Sequence, residues 1–412
     1  MAHAQASMPG MAMPMPAENP AADAGAPDGA DGGAEEPESE VQLFNMQDHS
    51  DDMMKHMAHF TTFSAFEQGS REQLLAATGA TPPQLDAFGD VSAVVPIQQP
   101  GEHPHFQLGA FGLMFMAGLG PHVDFMAETA LEADETNTLS IDLERMVLRW
   151  SNQAWFVQCG RMHTDIGFWN ASYHHGRWLQ PTIARPSVVA FEDGGGLIPA
   201  HAIGISGGWQ MPSSKGALHL VLTVANGRGD IPDQILLVRE TNLAKQVVLS
   251  VYHTGLGVEG LRLGASVDYD HIAGAPPTIR PDLPYAPIDE YIGNVNLAYL
   301  KAPWTVIAES FAFVHHSGTQ TWPIYDTYAV LGRAFGALTP YVELENRNSP
   351  NGLPPFFLDG SLPLEPNFTL ELVGLRFETT SWSALRLEYS VQEGVSGKKL
   401  PMQVELNWAF GV

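Results

Sequence analysis

From about residue 103 to the C-terminus the chain is a succession of strand-length runs in which apolar and polar residues alternate with period two. Leu139, Ile141 and Leu143 alternate with Ser140, Asp142 and Glu144. Leu261, Leu263, Ala265, Val267 and Tyr269 alternate with Arg262, Gly264, Ser266, Asp268 and Asp270. Leu385, Leu387, Tyr389 and Val391 do so with Arg386, Glu388, Ser390 and Gln392, and Val404, Leu406, Trp408, Phe410 and Val412 with Glu405, Asn407, Ala409 and Gly411. Many of these runs extend over roughly 10–14 residues, the length of a tilted bilayer crossing rather than of a soluble-sheet strand. Aromatic residues sit near the run ends: Trp150, Trp155, Tyr269, Tyr291, Tyr299, Trp304, Trp382 and Trp408, where interfacial girdles belong. Tight Gly/Asn/Asp turns alternate with longer segments at 228–244, 271–288 and 348–365. The pattern predicts an all-β fold, a closed antiparallel transmembrane β-barrel over residues 103–412. Fifteen strand candidates imply an even total of about 14–16. A β-sandwich or propeller would also alternate, but with shorter strands.

Upstream the periodicity stops. Residues 1–44 are rich in Met, Pro, Ala and acids, too poor in apolar surface to offset ordering entropy, and are expected to be disordered. Residues 45–102 are expected to form a partly helical segment, a plug or tether for the barrel. Its helical stretches fall at 48–60 and 70–78, the second opened by a capping-box pattern from Ser70 to Gln73 and closed by Pro82 and Pro83. The opening residues Met1 to Ala6 end in Ala-x-Ala, the pattern at which a signal peptide is cleaved, so an exported chain with a start upstream is expected.

Composition narrows the partners. The formal net charge is -26, which excludes nucleic acid, because phosphate binding needs a basic surface. About half of it comes from the first 100 residues, where fifteen acids face Lys55 and Arg71. The mean hydropathy of -0.07 is compatible with a barrel, whose strands average lipid-facing and lumen-facing residues. No run of about 18 apolar residues offers a transmembrane helix. Cys159 is the sole cysteine; it cannot form an internal disulfide and reads as a small lipid-facing or packed hydrophobe.

The segment Cys159-Gly-Arg-Met-His-Thr-Asp-Ile-Gly-Phe-Trp-Asn170 resembles the strand end before the constriction loop of Gram-negative outer-membrane porins. The polar stretch that follows, near 165–200, resembles that inward-folded loop in position. The last strand resembles the terminal strand porins present for assembly, though it ends in Phe410-Gly-Val412 rather than in an aromatic residue. The resemblance covers residues 103–412 and is architectural. It implies the cell outer membrane and its lipid bilayer, passive or facilitated diffusion of small hydrophilic solutes or ions, and an assembly such as the homotrimer common among porins. The pore candidates are Arg161, His163, Asp165, His174, His175, Arg177, Arg185, Glu192, Asp193, Arg262, Asp268, Arg386 and Glu388, since lumenal charge sets selectivity. An ordinary solvated extracellular loop is the competing reading of residues 160–201, and the mixed signs leave the preferred ion open.

Two other chemistries are weighed beside the channel. Met8, Met11, Met13, Met15, His49, Met53, His56, Met57 and His59 offer thioethers and imidazoles, a set suited to copper, and make a copper-binding barrel the alternative; such residues are also common filler in low-complexity tails. No other cofactor is expected. A rim-site hydrolase using Ser172 with His174 or His175 is the third reading. Nucleophilic catalysis needs a base within hydrogen-bond reach and a group to orient it, which near neighbours in sequence rarely supply, and no Gly-x-Ser-x-Gly elbow is present. An enzymatic role is not expected. The adjacent pair His315 and His316 reads as solvated.

Overall fold

The computed structural model describes residues 83–412 except 98, 100, 134–137, 174–176, 178, 192–194, 231–239, 359–363, 395–398 and 412. The tail, most of the segment predicted to be helical, and all nine methionines and histidines proposed for copper lie outside the described residues.

Sixteen antiparallel strands close into one barrel. They are β1 (Gln84–Ile97), β2 (His105–Gly120), β3 (Val123–Ala133), β4 (Leu139–Ser151), β5 (Trp155–His163), β6 (His201–Ser213), β7 (Gly216–Ala225) and β8 (Gln246–Thr254). The second half is β9 (Leu261–Ile272), β10 (Ile288–Lys301), β11 (Trp304–Ser317), β12 (Gln320–Arg333), β13 (Leu338–Asn348), β14 (Phe368–Thr380), β15 (Ser383–Gly394) and β16 (Lys399–Gly411). Each strand pairs with its sequence neighbour, and β1 closes on β16 from Phe88 opposite Gly411 to Ile97 opposite Met402. Closure removes every sheet edge, which a bilayer demands because its core offers no hydrogen-bond partner.

The alternation becomes two surfaces. In β13 Thr339, Tyr341, Glu343, Glu345 and Arg347 point inward and are buried, while Leu338, Val342 and Leu344 between them are exposed. In β16 Glu405, Asn407 and Ala409 turn inward, and Leu406 and Trp408 face out. Outward aromatics form two bands: Trp150, Trp155, Trp304, Trp382 and Trp408 near one end, Tyr269 and Tyr291 near the other. Cys159 is on the outer surface, as expected.

The barrel begins at Gln84, not at residue 103. Strand β1 lies in the segment assigned above to a helical plug or tether, and that boundary is corrected. Its alternation is hidden by an irregularity between Gly89 and Val91, which leaves Phe88, Gly89 and Asp90 consecutively buried, and by Pro96. Proline in a run ordinarily argues against a strand. Here it lies at the penultimate position.

Short connections at 121–122, 152–154, 214–215, 255–260, 302–303, 334–337 and 381–382 occupy one end of the barrel. Both terminal strands meet that end, since β1 starts there and β16 finishes there. The other end carries residues 98–104, 134–138, 164–200, 226–245, 273–287, 318–319, 349–367 and 395–398. The longest of these, 164–200, is the third connection at that end, and it is the inward loop.

Candidate functional site: the inward loop and the charged wall

The inward loop leaves β5 at His163 and returns to β6 at His201, two residues that face each other across the strand pair. Among the described residues between them there is little secondary structure, a helical turn at Trp169–Ser172 and a 3-10 turn at Ser187–Val189. A loop without a ladder must satisfy its backbone groups elsewhere. Three wall carboxylates accept from it. Glu309 on β11 accepts from the amides of Phe168 and Trp169, both at 2.8 Å. Glu345 on β13 accepts from the Ser187 amide at 2.9 Å, the Ser187 hydroxyl at 2.6 Å and the Val188 amide at 3.2 Å. Glu388 on β15 accepts from the amide of Ile183 and from the Tyr341 hydroxyl.

Guanidinium groups complete the attachment by donating to loop oxygens. Arg376 reaches the Gln180 carbonyl at 2.9 Å, and Arg386 reaches the carbonyls of Gln180 and Thr182 at 3.2 and 2.6 Å. Arg347 donates to the Ser187 hydroxyl, Arg262 to the Ser172 hydroxyl, and loop residue Arg177 to Asp90 on β1. The loop therefore touches β1, β9, β11, β13, β14 and β15, so it lies inside the barrel and crosses it. Apolar packing adds to these bonds. Trp169, fully buried, lies 4.9 Å from the Tyr173 ring and 6.0 Å from that of Tyr328 on β12. The same buried cluster includes Val188, Leu197, Ile198, Phe311 and Phe313.

Most predicted pore residues fall on this loop or on the wall that holds it. Arg161, His163, Asp165, Asp268, Arg386 and Glu388 are buried inside the barrel, while Arg177, Arg185 and Arg262 are half-buried. Burial pushes the Asp165 carboxyl up to about 7, against the opposing pull of Arg262 and Arg149. Arg185 stacks 3.8 Å above the Phe191 ring and donates to the Tyr173 carbonyl. Asp268 accepts from Gln246 at 3.3 Å and belongs to a group with Asp270, Glu290 and Arg228, near the end that carries the longer connections. His174, His175, Glu192 and Asp193 lie outside the described residues.

His315 is corrected. It is buried and 2.8 Å from Glu290, which also pairs with Arg228 at 2.9 Å. Its partner in sequence, His316, is exposed. Period two alone puts one of two adjacent residues inside. The hydroxyl imagined as a nucleophile, Ser172, is held by Arg262, and both histidines named with it lie outside the described residues. Sequence reasoning missed Asp90, Glu128, Arg145, Arg149, Glu309, Asp326, Glu345, Arg347 and Arg376, all buried inside the barrel. For Glu128, Glu309, Asp326, Glu345, Arg347 and Arg376 the available signal was phase, whereas Asp90 lies at the irregularity of β1 and Arg145 and Arg149 follow a shift of register in β4.

A closed sixteen-stranded barrel with outward apolar residues, two aromatic bands and an inward third loop defines the class: a porin-type β-barrel. No known family model and no curated protein sequence matches the chain. Solved structures do match its fold. The anion-selective porin of Comamonas acidovorans has a TM-score of 0.55 at 8% identity over 81% of this chain and 100% of that one. The outer membrane channel DcaP of Acinetobacter baumannii has a TM-score of 0.53 at 12% identity, covering 82% and 98%. The trimer form of OmpT, an outer membrane protein of Vibrio cholerae, gives 0.50 at 9%, covering 81% and 100%.

Proposed function

We propose that the chain is a channel through which small hydrophilic solutes or ions diffuse across the outer membrane. The observation that carries this reading is the inward loop, fastened across the barrel by wall carboxylates and guanidinium groups. Such an arrangement narrows a lumen and lines it with fixed charge, the two quantities that set what passes. The likeness to an anion-selective porin and to an outer membrane channel supports it. Assembly as a homotrimer is part of the proposal, supported by the trimer form of the Vibrio barrel.

Reconstitution in a planar bilayer tests the channel. Discrete conductance steps are expected, and a reversal potential under a salt gradient reports the sign of the dominant wall charge. Silence from protein shown to be folded would remove the channel reading. Cross-linking in native membranes is expected to give a band of three subunits; a monomer alone would remove the trimer.

A further inference from the structure

Where the inward loop joins the barrel, three side chains converge, and only one of them, His163, is among the pore candidates. His163 ends β5, His201 begins β6, and Glu144 comes from β4. One ligand-capable atom from each lies within 4.8 Å of the others, and all three are buried. We infer that this cluster is a binding site for a divalent transition-metal cation, such as Zn²⁺ or Co²⁺, that ties both stems of the loop to β4.

Three features of the surroundings point the same way. First, Glu144 reaches the inside through a β-bulge. Glu128 pairs with Arg145 and Thr129 with Leu143, so the strand register skips Glu144, and two consecutive residues, Glu144 and Arg145, are buried. Bulges re-aim side chains in this way beside functional sites. Secondly, His163 Nδ1 lies 3.2 Å from the Asn170 carbonyl oxygen. A carbonyl only accepts, so Nδ1 carries the proton and Nε2 is left as the ligand nitrogen. That is the outer contact metal-ligating histidines commonly make. Asn170 is itself fixed, donating to the Thr164 carbonyl at 2.9 Å and to the Ala200 carbonyl at 3.2 Å. Thirdly, His201 Nε2 is already 2.9 Å from Glu144 Oε2. Metal–ligand bonds of about 2.0–2.2 Å set tetrahedral ligand atoms roughly 3.4 Å apart. That value lies between this 2.9 Å contact and the 4.8 Å limit within which all three ligand atoms fall.

The donor set selects the ion. Two imidazoles and one carboxylate suit borderline transition metals, whereas Ca²⁺ and Mg²⁺ require mostly oxygen. The local charge suits a dication. The carboxylates of Asp142 and Glu144 exceed the single guanidinium of Arg161, which lies 3.5 and 3.9 Å from them. Asp142, whose side chain is 40% exposed, leads from the cluster toward solvent.

The test uses the full chain, folded in detergent micelles and checked by its heat-dependent migration on gels, with Co²⁺ as probe. Substituting His3→Ala, His49→Ala, His56→Ala and His59→Ala removes the N-terminal imidazoles as competing ligands. In that background one tightly bound Co²⁺ is expected, with the intense visible bands of four- or five-coordinate cobalt. His163→Gln and Glu144→Gln are expected to abolish the bands. Asn170→Ala, which touches no metal, should weaken binding about 10–100-fold, the usual effect of losing an outer-shell partner. No such cobalt in the background chain, or bands unchanged by His163→Gln in folded protein, would overturn the site and leave a buried histidine–glutamate ion pair. Two glutamine variants guard against the failure of either one to fold.

Discussion

Glu309 shows how much one side chain carries. Its two oxygens take the amides of Phe168 and Trp169, the Asn294 side chain at 3.1 Å and the Tyr328 hydroxyl. Each hydrogen bond to a charged group contributes about 1.5–3 kcal/mol. In Glu309→Gln one acceptor becomes a donor aimed at other donors, so the start of the loop loses its hold. Amides 167–170 are then expected to exchange faster while the strand amides do not; unchanged exchange would mean that apolar packing around Trp169 suffices. Gly160 is the second such residue. Its φ is 132°, and a Cβ placed there would lie 1.9 Å from the Met146 carbonyl oxygen. Gly160→Ala combines backbone strain of about 1–3 kcal/mol with a clash against backbone. Urea unfolding should show a lower midpoint, and a wild-type midpoint would contradict this account of the β4–β5 contact.

At the scale of elements, the strands and the loop are held by different forces. A strand is placed by its period: one face meets lipid, the other meets the interior, and a slip by one residue would exchange them. Val295, near the middle of β10, is 60% exposed on the outer surface. Val295→Arg is expected to destabilise the barrel by about 2–4 kcal/mol, as a charge on the lipid face near the midplane does. Unfolding from lipid vesicles measures this, and a change below about 1 kcal/mol would mean that the position lies near an interface. The inward loop has no such period. It is held by carboxylates and guanidinium groups contributed by strands far away in sequence, so its path cannot be read from its own residues.

For the whole molecule, the signs of the charges inside the barrel matter more than the net charge of -26, half of which belongs to the first hundred residues. Strands β9 to β13 contribute Asp268, Asp270, Glu290, Glu309, Asp326, Glu343 and Glu345, and several of these are engaged with the loop or with arginines. Arg262 is only half-buried, lies 4.0 Å above the Tyr252 ring, and is the wall cation that meets the helical turn of the loop. Arg262→Glu should move the reversal potential toward cation preference. An unmoved potential would place the selective step elsewhere in the lumen.

Period two together with strand length determined the barrel from residue 103 onward, the outward aromatics, and the inward placing of Arg262, Asp268, Arg386 and Glu388. Each of these follows from a local rule, that successive side chains point to opposite faces and the lipid face must be apolar. Three things needed the tertiary structure. Strand β1 was hidden by its bulge and Pro96, and only pairing with β16 and β2 reveals it. His315 and His316 share a local pattern, and only register buries the first against Glu290. The anchoring of the loop joins residues more than a hundred positions apart, such as Trp169 and Glu309. So does the ring's closure, while the meeting of His163 and His201 across the loop stems depends on how β5 and β6 pair. Such contacts arise from closing the ring, and no stretch of sequence contains that information by itself.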